Sequence, residues 1–292
     1  MDRQKTNWFP GHMARAFSVF KNEIKKAHIT IEVIDARIPA SSRNSKIFEV
    51  AKGKNRIVIL NKLDLVPRSQ IKEWENKITR NEGARVISTN LATDRSAIKK
   101  VLEALNEAKN DIQFKKSMTR SILKPLVRVV IIGIPNVGKS TLINRLSGQN
   151  RTRVGKRPGI TLGQQWISFG ENYELLDMPG ILEPNLEHAE TAQKLSMTYA
   201  ISDKVVDAYD IAVKLVELLK AIYTRNEPDK SHPLFKDIIE KAANGHEALS
   251  MVAQHYNYYL QSKKIDCNRA ASRIIKDYRD GLLGKFILDE NK

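Results

Sequence analysis

The sequence of 292 residues has only one cysteine, Cys267. An internal disulfide is therefore excluded, and so is a zinc site built on several thiolates. No apolar run approaches the roughly 20 residues that a membrane-spanning helix needs, and the polar first residues lead into no apolar signal core. These absences favour a soluble, cytoplasmic protein in a reducing compartment, without a membrane partner.

Acidic residues are scarce between Lys109 and Arg157, where Asp111 alone stands against twelve lysines and arginines. The whole chain carries a formal net charge of +16. Neutralising phosphates releases condensed counterions, so this charge favours a polyanionic partner. A solvated basic surface is the alternative, but the phosphates of one nucleotide do not need twelve cations.

Short β-branched runs alternate with segments of helical spacing over the first half of the chain, which predicts a βαβα pattern and buried parallel strands. A later pair of strands, turned at Gly170, is predicted to be antiparallel. The six predicted strands cover 28–35, 56–60, 85–88, 126–133, 165–169 and 173–176. The predicted helices among them cover 69–80 and 94–108, with Asp94 as an N-cap.

After residue 185 no strand pattern appears, and helical segments are predicted over 203–223, 233–261 and 268–287. The fold class is therefore α/β, with a mostly parallel six-stranded sheet in 1–184 followed by a smaller all-α domain in 185–292.

The last helical segment has a basic face formed by Arg269, Arg273 and Lys276. This face either tracks a phosphate backbone or is the solvated side of an amphipathic helix. The apolar side chains of the segment are predicted to face a core. Three nearby tyrosines are predicted to belong to a core as well, with platforms for base stacking as the alternative. These residues are Ile274, Ile275, Tyr278 and Leu282, with Tyr256, Tyr258 and Tyr259.

The octet from Gly133 to Ser140, GIPNVGKS, follows an apolar strand and precedes a helical run. This is the context that the phosphate-binding motif G-x-x-x-x-G-K-[ST] requires. In that motif the glycines let backbone amides close around phosphates, Lys139 reaches the β and γ oxygens, and the Ser140 hydroxyl ligates Mg²⁺. The other predicted phosphate contacts come from Asn136, Val137, Gly138 and Thr141.

The tetrapeptide N-K-L-D, with Asn61, Lys62 and Asp64, follows the second predicted strand. A carboxylate there can accept from both N1–H and the exocyclic amine of guanine, which adenine cannot satisfy. A second base contact is predicted after the third strand, where backbone N–H groups would face the guanine carbonyl; its residues are Ser88, Thr89 and Asn90. The sequence therefore predicts GTP and GDP rather than ATP as ligands.

The segment Asp177 to Gly180, DMPG, follows the last predicted strand. It would place the Asp177 carboxylate near Mg²⁺, bound through water, and the Gly180 N–H near the γ-phosphate. A simple Pro-Gly turn is the alternative. Thr161 is the candidate switch threonine for Mg²⁺ and the γ-phosphate, with Thr152 as its rival.

The base-reading motif precedes the phosphate loop, the reverse of the usual order, which indicates a circular permutation. This order, with WFPGHMARA at 8–16 and DARIP at 35–39, resembles the circularly permuted translational GTPases, and the ribosome biogenesis GTPase A family in particular. The resemblance covers residues 7 to about 185. It implies a P-loop GTPase with an appended helical RNA-binding domain, acting on the large ribosomal subunit precursor and its rRNA. We expect a monomer when the protein is free.

Residue Ile181 occupies the position where a Ras-like enzyme carries its water-orienting glutamine, and it can neither donate nor accept. The resemblance suggests His12 as the substitute that positions water or shuttles a proton. Alternatively, His12 caps a helix or touches RNA. Asn136 resembles the asparagine with which related GTPases hold K⁺, or else it only shapes its loop.

The permutation lets the second switch lead directly into the helical tail. We therefore expect GTP to order Thr161 and Gly180 and to reorient the tail on RNA, with hydrolysis releasing the protein. A nucleotide-gated RNA-binding scaffold with incidental hydrolysis is the alternative function.

Overall fold

The structure is a computed structural model that describes residues 21, 24–44, 49–51, 53–117, 126–148, 166–170, 172–177, 189–202, 206–225 and 232–291, with the backbone alone at 113–117 and 177. Its strands form one sheet in the order β3-β2-β1-β4-β6-β5. They are β1 (Ile29–Asp35), β2 (Asn55–Asn61), β3 (Arg85–Ser88), β4 (Val127–Ile132), β5 (Trp166–Phe169) and β6 (Tyr173–Asp177).

All neighbouring strands in the sheet pair in parallel except β5 and β6, which are antiparallel. The predicted six-stranded, mostly parallel sheet is confirmed. Strands β1 and β4 lie side by side although they are distant in sequence; β2 and β3 extend the sheet beyond β1 on one side, and β6 and β5 extend it beyond β4 on the other, so the direction of winding reverses between β1 and β4. In sheets of this kind, ligands bind beyond the carboxyl ends of the strands at this reversal.

The helices that accompany the sheet are α1 (Arg68–Glu82), α2 (Ala97–Ser117) and α3 (Lys139–Gly148). Helix α2 is longer than the predicted 94–108, because it continues to Ser117 through the first part of the basic stretch that begins at Lys109. Lysine and glutamine are good helix formers, so that composition does not end a helix.

The later helices are α4 (Ala189–Met197), α5 (Ala208–Arg225), α6 (Pro233–Lys241), α7 (Gly245–His255) and α8 (Cys267–Arg279). The single helix predicted over 233–261 is wrong, since α6 and α7 are separate. Asn244 caps α7 by accepting from the Glu247 N–H at 3.0 Å. A Cβ at Gly245 would lie 2.6 Å from the Val213 carbonyl oxygen, so this start is tightly packed against α5.

The predicted end of the last helix at 287 is also wrong, because α8 ends at Arg279. Gly281 and Gly284 follow with φ values of 74° and 130°, which a right-handed helix does not allow. Leu282 is consequently 53% exposed, and the core position predicted for it is wrong. Tyr259, also predicted to be core, is 50% exposed. Ile274, Ile275 and Tyr278 are buried as predicted.

The chain divides into two compact units. The sheet unit contains the strands, and the helical unit contains α4 to α8 together with residues 36–41 and 62–73. Within the helical unit, the C-terminal segment forms backbone hydrogen bonds with both 36–41 and 62–73. The Leu288 N–H donates to the Arg37 carbonyl at 2.8 Å, and the Phe286 N–H donates to the Leu65 carbonyl at 3.3 Å.

Candidate nucleotide-binding site

The phosphate loop connects β4 to α3, and two of its glycines have backbone conformations that other residues rarely adopt. Gly133 has a φ of 147° and Gly138 a φ of 113°. A Cβ at Gly133 would overlap the carbonyl oxygen of Val33 in β1, and one at Gly138 would overlap the side-chain amide of Asn61. Both positions therefore require glycine for close approach as well as for φ.

Residue Lys139 begins α3 and is only 8% exposed. Its ammonium group donates to the Ile134 carbonyl oxygen at 2.8 Å, so the charge is held over the loop itself. The next residue, Ser140, is exposed in the first turn of the helix. A helix N-terminus offers unpaired N–H groups and a partial positive charge, which together favour a phosphate.

The side chain of Asn61, at the end of β2, joins the phosphate loop to the loop after β3. Its Nδ2 donates to the Val137 carbonyl at 2.6 Å, and its Oδ1 accepts from the Leu91 N–H at 2.8 Å. Asn61 is 5% exposed. Its amide thus fixes two loops of the site, a role that the sequence motif did not indicate.

The loop after β3 is held by its own side chains. The Thr89 N–H donates to the Leu60 carbonyl at 3.0 Å, and its hydroxyl donates to Asp94 at 2.7 Å. Asn90 accepts from the Ala92 N–H at 2.8 Å and so closes an Asx-turn. The Ser88 hydroxyl is buried without a hydrogen-bond partner among the described residues.

Asp94 and Arg145 stabilise the same loop from its far side. Hydrogen bonds from the Ser96 hydroxyl, and then from Thr89, hold the pKa of the Asp94 carboxyl well below its usual range. The carboxylate accepts from the Ser96 N–H at 2.8 Å, so it caps the turn just before α2. Arg145 of α3 donates to the Leu91 carbonyl at 2.7 Å and to the Asp94 carbonyl at 2.9 Å.

The rest of the tetrapeptide that is predicted to read the base lies in a tight turn within the helical unit. Lys62 has a left-handed backbone with φ 65°, and a 3₁₀ turn follows over Leu63–Leu65. The Leu65 N–H donates to the Lys62 carbonyl at 3.0 Å. Asp64 is exposed on this turn.

Several predicted site residues lie outside the described residues: His12, Thr152, Thr161 and Gly180. Asp177 is described by its backbone, which pairs with Ile131 at the end of β4, two residues before Gly133. Asn136 is exposed and has φ 61°, a left-handed conformation that asparagine tolerates well. That conformation fits an asparagine that shapes its loop.

Mg²⁺ prefers oxygen ligands and usually binds through one or two protein groups together with substrate phosphates. The exposed Ser140 hydroxyl at the start of α3 fits such an ion. No group of three His, Cys, Asp or Glu side chains that could hold a metal occurs within the described ranges. In the same ranges, no helix is both long and apolar enough to cross a bilayer.

The comparisons with known proteins agree with this geometry. A family model described as a 50S ribosome-binding GTPase matches residues 128–251. The Ribosome biogenesis GTPase A of Bacillus cereus is 34% identical over 284 residues, which cover 97% of this chain and 93% of that protein. The Mitochondrial ribosome-associated GTPase 1 of Mus musculus is 30% identical over 308 residues, covering 97% and 90%.

Among solved structures, the GDP-bound YlqF from T. maritima superposes with a TM-score of 0.65 at 24% identity. The match covers 94% of this chain and 99% of that one. At this identity the likeness shows the fold.

Proposed function

The chain belongs to the ribosome biogenesis GTPase A family and is a GTPase involved in ribosome assembly, and we propose that it binds the maturing large ribosomal subunit and uses its nucleotide state to control binding and release. The observation that carries the proposal is the phosphate loop, in which Gly133 lies against Val33, Gly138 and Val137 are held by Asn61, and the buried Lys139 bonds back to the Ile134 carbonyl.

Within this proposal, each part of the nucleotide has its own set of residues. The phosphates bind the loop and the start of α3, through Asn136, Val137, Gly138, Lys139, Ser140 and Thr141. Guanine is bound by Lys62 and Asp64. The loop after β3 closes over the base with Ser88, Thr89 and Asn90. Asn61 holds this loop and the phosphate loop in place. GTPases of this family use Mg²⁺ with the nucleotide, and here its ligands are Ser140 and Thr161, with Asp177 through water. Lys139, Thr161 and Gly180 stabilise the transferred phosphoryl group.

The two predicted guanine contacts Lys62 and Asp64 are themselves part of the helical unit. Residues 62–73 belong to that unit, and Phe286 donates to the carbonyl of Leu65 there. A base bound by Lys62 and Asp64 therefore acts on a segment that packs with the helices. The γ-phosphate acts on the helical unit by a second route, because the chain after Gly180 continues into α4.

None of the residues assigned to Mg²⁺ or guanine orients the attacking water. Ile181 cannot do so, because its side chain neither donates nor accepts a hydrogen bond. We assign that role to His12, with the ribosomal partner ordering the N-terminal segment. His12→Ala should lower partner-stimulated hydrolysis and leave nucleotide affinity unchanged. Unchanged stimulated hydrolysis in the variant removes His12 from the mechanism.

For Asn136 we propose a K⁺ ion beside the phosphates, where a cation stabilises developing charge as an arginine finger does. Hydrolysis should then be faster in KCl than in NaCl at equal ionic strength. Equal rates in the two salts leave Asn136 as a residue that only shapes its loop.

The experiment that tests the proposed function is GTP hydrolysis by the full chain with and without purified large ribosomal subunits. We expect large subunits to stimulate turnover and small subunits to have no such effect. Lys139→Ala is the control, since it removes the cation at the phosphates and should abolish hydrolysis in both conditions. Equal rates with and without large subunits would favour a scaffold with incidental hydrolysis.

A further inference from the structure

The chain between α7 and α8 forms a small exposed hairpin. An antiparallel bridge joins Tyr259 to Ile265, and the Leu260 N–H donates to the Lys264 carbonyl at 2.8 Å. At its base, the Asp266 N–H donates to the Tyr258 carbonyl at 2.9 Å. The hairpin is therefore an ordered projection that the fold supports at both ends.

Aromatic rings and guanidinium groups stack on one another beside this hairpin. The rings of Tyr256 and Tyr258 are stacked, with centroids 5.6 Å apart and an angle of 20° between their planes. The Arg273 guanidinium lies 4.7 Å from the Tyr256 centroid, and the Arg269 guanidinium lies 4.3 Å from that of Tyr258. These contacts fix planar cationic groups at the surface without burying them.

Basic side chains dominate the rim of this stack. Lys263, Lys264 and Arg269 are exposed. The nearby acids have structural partners, because Asp266 caps α8 at the Arg269 N–H and Asp277 accepts from Arg273 at 2.6 Å. The rim therefore keeps an excess of positive charge.

The tyrosine at the hairpin has ring area available for a partner. Tyr259 is 50% exposed, next to Leu260, which is also 50% exposed. Proteins that bind single-stranded nucleic acid combine a cationic track for the backbone with aromatic rings on which bases stack. Unpaired RNA bases are stacked in the same way on aromatic rings and on arginine planes.

We propose that this hairpin surface, formed by Tyr256, Tyr258, Tyr259, Lys263, Lys264, Arg269 and Arg273, binds an unpaired stretch of RNA. One base stacks on Tyr259, and the phosphates lie along Lys263, Lys264 and Arg269. The inference rests on the proposed function, which supplies the class of partner, and it deepens that function by naming where and how the RNA is held. The cationic rim favours RNA over a protein as the partner. A surface that binds a protein needs a larger apolar patch than Tyr259 and Leu260 offer.

The test is binding of the full chain to a fluorescent single-stranded 12-nucleotide RNA and to the same sequence in duplex form. Tyr259→Ala should weaken single-strand binding about thirtyfold, the middle of the range for one stacked base. Tyr259→Phe keeps the ring and should bind as the wild type does. Tyr199→Ala is the matched control, because Tyr199 is 47% exposed in the same unit and also has an arginine, Arg279, 4.9 Å from its ring centroid.

The phosphate contacts are tested by salt dependence. Lys263→Gln with Lys264→Gln should reduce the slope of log affinity against log salt by about 1.4, for two fewer single-strand contacts. The matched control, Lys214→Gln with Lys241→Gln, removes two exposed lysines of the same unit and should leave the slope unchanged.

Three outcomes would overturn the inference. Equal affinity for duplex and single strand, with no effect of Tyr259→Ala, means that charge alone binds RNA. A Tyr259→Ala effect on binding to large subunits without one on RNA means that the hairpin contacts a protein. Absence of RNA binding by a chain whose hydrolysis the large subunit still stimulates rejects this surface and leaves the proposed function in place.

Discussion

Positively charged side chains occupy different settings in the two compact units. In the sheet unit, Arg43 and Arg56 are largely buried and share the carboxylates of Glu32 and Glu82. In the helical unit, the hairpin cations are exposed and lie beside stacked tyrosines. The formal charge of +16 therefore includes cations that stabilise the fold and cations that can bind a polyanion. The two kinds differ in whether they are buried or exposed.

The buried cluster has its own electrostatic consequence. Burial alone would raise the pKa of the Glu82 carboxyl, but hydrogen bonds and charges from Arg43 and Arg56 outweigh it and lower that pKa. The same carboxylates raise the pKa of Arg43 against the opposing effect of its burial. Glu82 and Arg43 therefore favour their charged forms, and each needs its partners.

The largest expected effect comes from removing one buried cation. Arg56→Met leaves Glu32 and Glu82 with Arg43 as their remaining partner in the cluster, and breaking a buried pair typically costs about 3–5 kcal/mol. Urea denaturation should show this loss in the free energy of unfolding. Arg85→Met is the control, since Arg85 pairs with the exposed Glu107 and Asp111 and should lose about 1 kcal/mol or less. Equal losses of unfolding free energy in the two variants would show that buried and exposed arginines stabilise the fold to the same extent.

A smaller effect is expected from Asn61→Leu, which removes the bridge between the Val137 carbonyl and the Leu91 N–H. A buried polar group that loses its partner costs about 1–3 kcal/mol, so affinity for a fluorescent GDP analogue should fall roughly fivefold or more. Asn55→Leu is the matched control, because Asn55 lies at the opposite end of β2 and bonds to Ala108. Equal loss of affinity in both variants would contradict the role assigned to Asn61.

A third prediction concerns pH. The folded pKa of Glu82 is lowered, so its contribution to stability is present above its unfolded pKa of about 4.3 and is lost as pH falls through the folded value. Between pH 6 and pH 3, the free energy of unfolding should therefore fall more steeply in the wild type than in Glu82→Gln. Identical slopes would show that the arginines do not lower this pKa.

The smallest effect on stability is expected at the hairpin. Arg269→Ala removes a cation–π contact at an exposed site and should cost about 0.5–1 kcal/mol of unfolding free energy. The same urea titration measures it. A loss as large as that of Arg56→Met would mean that Arg269 belongs to the core of the fold.

Local patterns in the sequence predicted the sheet and the phosphate loop well. Buried parallel strands are continuous β-branched runs, and β1 and β2 show this directly. The phosphate loop carries its glycines at fixed spacing because Gly133 and Gly138 lie against other backbone and side-chain groups.

Other features depend on contacts that no local pattern contains. The bridge made by Asn61 joins residues 30 and 76 positions away. Residues 36–41 and 62–73 belong to the helical unit because the segment around Phe286 and Leu288 binds them, which their own sequences do not indicate. The exposure of Tyr259 follows from the hairpin, whereas tyrosine by itself fits a core or a surface equally well. The start of α7 could have been found from Asn244-Gly245, an N-cap residue followed by glycine.

The most direct test of the account measures the affinity of the full chain for purified large ribosomal subunits with a non-hydrolysable GTP analogue and with GDP. We expect tighter binding with the GTP analogue, because the γ-phosphate orders the switch residues whose chain continues into the helical unit. Indistinguishable affinities in the two nucleotide states would contradict it.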